Sequence, residues 1–120
     1  MNNKQPRVDF VELHILHHAE EQDLYGLWMI EELGEHGYKL NASQLYPKFH
    51  KLERDGFLKR FERVVGGKQR KYYRATAAGK RYFRQQKRKL MELAGEALSA
   101  DEIRKVLEVR LARDGGKKLA

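Results

Sequence analysis

Two histidines four residues apart, His14 and His18, have the spacing that lets two imidazoles on one helix face share a metal ion, with His17 between them. Zinc asks for a third protein ligand, and none stands nearby in sequence. The rings are therefore read as packing or surface histidines, and no metal or other cofactor is expected. Nucleophilic chemistry is no better served. The chain has no cysteine, and its two serines, Ser43 and Ser99, stand where helix caps are expected, positions at which a hydroxyl has a structural task. No glycine-rich loop precedes a helix to cradle a nucleotide phosphate, so catalysis is not expected.

The chemistry that remains is cationic and unevenly placed. The 120 residues carry a formal net charge of +8. Residues 1–36 hold 2 Lys or Arg against 8 Asp or Glu, residues 37–91 hold 17 against 3, and residues 92–120 balance. Charge that served only solubility would not segregate in this way, whereas a phosphate-facing surface on a neutral or acidic body would. The absence of cysteine suits a reducing compartment. The start, Met1 to Arg7, is polar, and the longest apolar run, Leu27-Trp28-Met29-Ile30, is too short for a signal segment or a membrane span. A cytoplasmic protein with no membrane partner is the expectation.

The elements that must position these charges can be read in order. Val11, Ile15, Leu16 and Ala19 recur at helical spacing behind the capping-box pattern Asp9 to Glu12, which predicts a first helix ending near Ala19. A second helix, with Asp23 as cap and Leu27, Ile30 and Leu33 on one side, stops at Gly37; Gly26 and Gly34 within it point to close packing. A third begins near Ser43 and ends at Gly56, with Leu45, Phe49 and Leu52 as its buried stripe and Pro47 in or next to the first turn. Its other side presents Gln44, Tyr46, Lys48, His50 and Lys51. Two runs rich in aromatic and branched residues, Phe57 to Val65 and Lys68 to Ala75, flank Gly66-Gly67 and predict a hairpin. A two-residue loop would set Glu62 opposite Lys71 and Arg63 opposite Arg70, and like charges directly opposed cost stability. Thr76 caps a fourth helix on which Phe83, Gln86, Leu90, Leu93 and Ala97 form the seam of a helix that packs on another long helix. Ser99 to Glu102 is a second capping box before Ile103, Val106 and Leu107, which favours a break and restart over one continuous helix, with Gly115-Gly116 as the end.

Three helices, a two-stranded wing and a further helix follow the winged helix-turn-helix order, mainly α with a small β-hairpin. Particular residues resemble the PadR family of transcriptional regulators. They are Tyr25-Gly26 at the second helix, Leu45-Tyr46-Pro47-Lys48-Phe49-His50-Lys51-Leu52-Glu53 on the third, then Gly56-Phe57-Leu58, Gly66-Gly67-Lys68 and Arg70-Lys71-Tyr72-Tyr73-Arg74-Ala75-Thr76 with Gly79. The resemblance spans residues 8 to 83. It departs at Gln69, where proline is frequent, and at Ala75, where a larger aliphatic is usual.

The resemblance implies a DNA-binding repressor acting on double-stranded DNA as a homodimer, with a winged helix-turn-helix domain over residues 1–76 and a C-terminal helical dimerisation region over 77–120. Ser43, Gln44, Tyr46 and Lys48 would face the major groove, Gln44 pairing with adenine and Lys48 with guanine, while Tyr46 reaches either a base or a phosphate. His50 and Lys51 continue that surface, and Lys68, Arg70, Lys71 and Tyr72 form its wing. Phe83, Leu90, Leu93, Ala97, Ile103, Val106 and Leu107 are the expected dimer contacts. A two-fold dimer implies an inverted-repeat operator. Trp28 is read first as core; the resemblance also allows it to line a pocket for a small aromatic effector. The rival from another class is a winged-helix module that binds protein and not DNA, against which the basic middle of the chain argues, because interface cores are depleted in charge.

Overall fold

The structure, a computed structural model, describes residues 7–119. Its elements are α1 (Phe10–Glu21), α2 (Gly26–Glu35), α3 (Ala42–Arg54), β1 (Leu58–Val65), β2 (Lys68–Ala75), α4 (Ala77–Ala97) and α5 (Ala100–Leu119). This is the expected winged helix-turn-helix order. The chain packs as two compact units, Met1–Arg84 and Gln85–Ala120.

In the first unit α1 starts with a complete capping box: Asp9 Oδ1 accepts from the Glu12 N–H at 2.8 Å, and Glu12 Oε1 accepts from the Asp9 N–H at 2.9 Å. Two backbone donors at the helix start are thereby satisfied. The helix continues two residues beyond Ala19. Asp23 does not cap α2, whose cap residue Tyr25 offers no side-chain hydrogen bond. Asp23 is drawn instead to Arg63 and Arg74 of the hairpin. The buried side of α2 is Met29 and Leu33, with Ile30 half-buried, while Leu27 is 61% exposed. Gly26 does lie against a neighbour, but Gly34 has no atom within 4 Å of where a Cβ would stand, so close packing accounts for only the first.

Helix α3 is capped by Asn41, with Gln44 completing a capping box, and buries Leu45, Phe49 and Leu52 completely. Pro47 falls in the second turn, where its missing N–H leaves the Ser43 carbonyl without its usual helical donor. Ile15, Leu16, Leu24, Met29 and Tyr73 close the core around this stripe.

The hairpin has the expected register, Glu62 opposite Lys71 and Arg63 opposite Arg70. Gly66 and Gly67 both have positive φ, 59° and 79°, as a type I′ turn requires and as a side chain would oppose. Alternation puts Leu58 and Tyr73 on the core side and Phe61, Arg63, Arg70, Tyr72 and Arg74 on the other. A contact that local patterns do not announce anchors the ribbon: Leu24 and Tyr73 exchange both backbone hydrogen bonds at 2.8 Å, pinning β2 to the α1–α2 connection. Gly79 in the first turn of α4 rests on the Phe57 carbonyl, and Tyr82 stacks on Phe57 with ring centres 4.4 Å apart. The first two turns of α4 thus belong to this unit, Phe83 included, which packs partly buried against the core.

In the second unit α4 ends at Ala97 and α5 restarts behind Ser99, whose hydroxyl accepts from the Glu102 N–H at 3.1 Å while Glu102 accepts from the Ser99 N–H at 2.8 Å. Two helices, not one, form this region. Helix α5 runs through Gly115-Gly116 to Leu119, so the double glycine does not end it. No helix among the described residues is long and apolar enough to cross a membrane.

Candidate nucleic-acid interface

A groove of about 570 Å³ opens between the start of α2, one flank of α3 and strand β2, lined by Tyr25, Gly26, Leu27, Tyr46, His50, Gln69, Arg70 and Lys71. Its floor exists because Gly26 has no side chain: a Cβ there would stand 2.4 Å from the Tyr46 hydroxyl and 2.8 Å from Cζ. The half-buried Tyr46 ring can therefore lie across the start of α2, edge-on to Phe49. At this helix start the first backbone N–H groups have no helical acceptor and no capping side chain. Together with the positive end of the helix dipole they form a ready seat for an anion.

The wing side of the groove is a ladder of cations and rings. Arg70 lies 4.3 Å over the Tyr25 ring, Arg63 4.6 Å over Tyr72, and Arg74 4.4 Å over Phe61. Asp23 ties the ladder down, accepting from Arg63 Nη2 at 2.8 Å and from Arg74 Nε at 3.1 Å. The opposed Arg63 and Arg70 thus part toward separate partners, which relieves the like-charge contact. Partial burial works to raise the Asp23 pKa, but hydrogen bonds and charge from Arg74 and Arg63 outweigh it and hold the carboxyl below its ordinary value. Tyr72, expected to contact DNA, is 8% exposed and sits beneath Arg63, so it positions a cation and does not present itself. Lys68, Gln69 and Lys71 are exposed along the same strand.

On α3 the expected contact residues separate into two groups. Ser43, Gln44 and His50 are exposed, with Ser43 donating to Asn41 Oδ1 at 2.7 Å and Gln44 engaged in the helix cap. Lys48 and Lys51 point to the start of α1: Lys48 donates to Asp9 Oδ2 at 2.7 Å, and Lys51 to Glu12 Oε1 at 3.0 Å and to the Arg7 carbonyl. Burial acts to raise the Asp9 pKa, and the Lys48 hydrogen bond, the Glu12 N–H and the two lysine charges more than reverse it. Lys48 reaches a base only by exchanging Asp9 for it. These acidic partners, 39 residues away in sequence, have no local signature.

Away from the groove, α1 and α2 gather His14, His18 and His36. His14 and His36 stack with ring centres 4.8 Å apart, and His18 meets the half-buried Trp28 edge-on at 5.3 Å. Burial first, then neighbouring imidazoles, lowers the pKa of both His14 and His18. Trp28 packs against the core cluster, as its first reading held. His36 is the residue that sequence spacing did not supply, because it lies 18 positions beyond His18 and is brought back by the helical hairpin.

Comparison with known proteins agrees with this architecture. Residues 15–85 match the Transcriptional regulator PadR-like family. The chain is 48% identical over 88 residues, 73% of its length and 82% of the relative's, to Transcriptional regulator Rv3488 of Mycobacterium tuberculosis. Among solved structures it is similar to a PadR family transcriptional regulator from Eggerthella lenta, with TM-score 0.63, 32% identity, and coverage of 82% of this chain and 81% of that one. RosR of H. salinarum shares the fold at TM-score 0.65 and 23% identity, over 92% of this chain and 96% of that one. With more than half its length matched, the chain belongs to the PadR-like family of DNA-binding transcriptional regulators.

Proposed function

We propose that this protein is a sequence-specific repressor that grips an inverted-repeat operator as a homodimer. The observation that carries the reading is the groove in which the uncapped start of α2, Tyr46, Arg70 and Lys71 converge. The α2 amides and the Tyr46 hydroxyl suit one phosphate, Lys68, Arg70 and Lys71 suit the flanking backbone, and Ser43, Gln44 and His50 are the exposed groups of α3 that face base edges. Lys48 and Lys51 join them by releasing Asp9 and Glu12. Positioning by the backbone and reading by α3 are then separate tasks.

A second copy of the chain is the occupant proposed for the apolar surface of the C-terminal unit. Leu90, Leu93, Ile103, Val106 and Leu107 are between 46% and 59% exposed, and Ala97 is also exposed. Side chains of this kind in such number are costly to leave in water and ordinary in a helical dimer seam. Two-fold symmetry would set the α3 helices about one turn of DNA apart. Selection of bound fragments from random duplexes tests the proposal: the expected winner is an inverted repeat with half-sites at that spacing. Enrichment of no sequence, or of a single asymmetric site, would contradict it.

A further inference from the structure

We infer that His14, His18, His36 and Glu32 form a binding site for a borderline divalent transition-metal ion such as zinc. Each of the two helices contributes a pair at the i, i+4 spacing that places donors on one face, His14 and His18 on α1, Glu32 and His36 at the end of α2. Packing of α1 on α2 then brings the pairs together. One ring nitrogen from each histidine lies within 4.8 Å of those of the other two. The carboxylate oxygen Glu32 Oε2 is 2.9 Å from His36 Nε2 and 3.3 Å from His18 Nε2.

Those separations can be compared with a coordination sphere. A tetrahedral zinc with bonds of about 2.0–2.1 Å has neighbouring donors about 3.3 Å apart. The two glutamate–histidine separations already fit that edge. The imidazoles need to close by roughly 1.5 Å at most to match it; Glu32, which stands outside the set of donors within 4.8 Å of one another, completes the sphere only by turning its carboxylate toward His14, and His36, which caps α2 and has an exposed side, has the freedom to close. Three imidazoles and one carboxylate select the donor class: too few oxygens for calcium or magnesium, and no thiolate for a soft ion. His18 is 6% exposed and gives the site a buried wall, while the His36 side gives an ion its approach. A bound ion would clip the end of α2 to α1. The site does not depend on the operator reading, since a protein that ignored every duplex would still bind the metal.

The test is calorimetric titration of the full, chelator-treated chain with zinc ion alone, repeated with cobalt(II) while visible absorption reports coordination geometry. The expected result is one ion per chain, a tetrahedral cobalt spectrum, and binding weakened at least about a hundredfold in His14→Ala and in His36→Gln. His17→Ala is the control, because His17, His18 and Glu21 form a second group of donors that shares only His18. It should leave zinc affinity within about twofold of the parent. His36→Gln changes a side chain at an exposed helix end, and its circular dichroism should match the parent, so lost binding is not lost folding. Absence of saturable binding, an octahedral cobalt spectrum, undiminished affinity in His36→Gln, or a loss in His17→Ala equal to that in His36→Gln would each overturn the assignment.

Discussion

Gly79→Ala should destabilise the winged-helix unit far more than one methyl group ordinarily does. A Cβ at this position would stand 2.2 Å from the Phe57 carbonyl oxygen, 3.0 Å from its carbon and 3.2 Å from its Cα. All three are backbone atoms at the foot of β1, so no side chain can swing aside, and relief to ordinary contact needs a shift of more than about 1 Å. That shift must pass through the bonds that fix α4 to the hairpin. Thr76 N–H donates to the same Phe57 carbonyl at 3.0 Å, the Thr76 hydroxyl donates to the Gly56 carbonyl at 2.6 Å, and Gly79 N–H donates to that hydroxyl at 3.0 Å. Overpacking costs about 1–3 kcal/mol and a lost hydrogen bond about 1 more, against roughly 1 returned by alanine's helix propensity. A net loss of about 1–3 kcal/mol is expected, a large part of the stability of a domain this size. Urea denaturation followed by far-ultraviolet circular dichroism measures it. A Gly79→Ala protein as stable as the parent would refute the close-approach argument.

Other perturbations have signs that follow from the same geometry. Gly26→Ala should cost about 1–2 kcal/mol because it meets the Tyr46 ring, and adding Tyr46→Phe, which removes the nearest atom, should recover part of that loss in the same denaturation assay. Gly34→Ala, in the same helix but with open space at the Cβ, should instead stabilise by up to about 1 kcal/mol; a loss there would show that the helix is not packed as described. Asp9 and Asp23 both have depressed folded-state pKa values, so their contribution is present above the unfolded carboxylate range and is lost as pH falls through the folded values. Melting temperatures recorded across the acid range should fall less steeply in Asp9→Asn/Asp23→Asn than in the parent, and identical slopes would remove these two pairs from the account.

Much of the fold was legible because its signals are local. The Asp9–Glu12 and Ser99–Glu102 boxes, the Gly66-Gly67 turn and the stripe Leu45, Phe49, Leu52 each depend on residues within one or two turns of each other, and each is realised. The readings that changed were those in which a distant partner outweighed a local role. Asp23 had the right type for a cap, yet two arginines 40 and 51 positions away hold it. Tyr72 lay on a basic strand and is buried by the arginine stacked on it. The cationic character of the site could be read from charge alone, whereas the uncapped start of α2 and the pairing of Lys48 and Lys51 with α1 depend on tertiary packing.

Fluorescence anisotropy of labelled duplex DNA, with the protein titrated in over a series of salt concentrations, tests the central claim most directly. The parent should bind at low ionic strength with an affinity that falls steeply as salt rises, and Lys68→Ala/Arg70→Ala should weaken binding on all sequences and lower the slope of log affinity against log salt by about one unit per lost phosphate contact. No binding to any duplex at low salt, or an unchanged slope in the double variant, would contradict a DNA-gripping surface built from α3 and the wing.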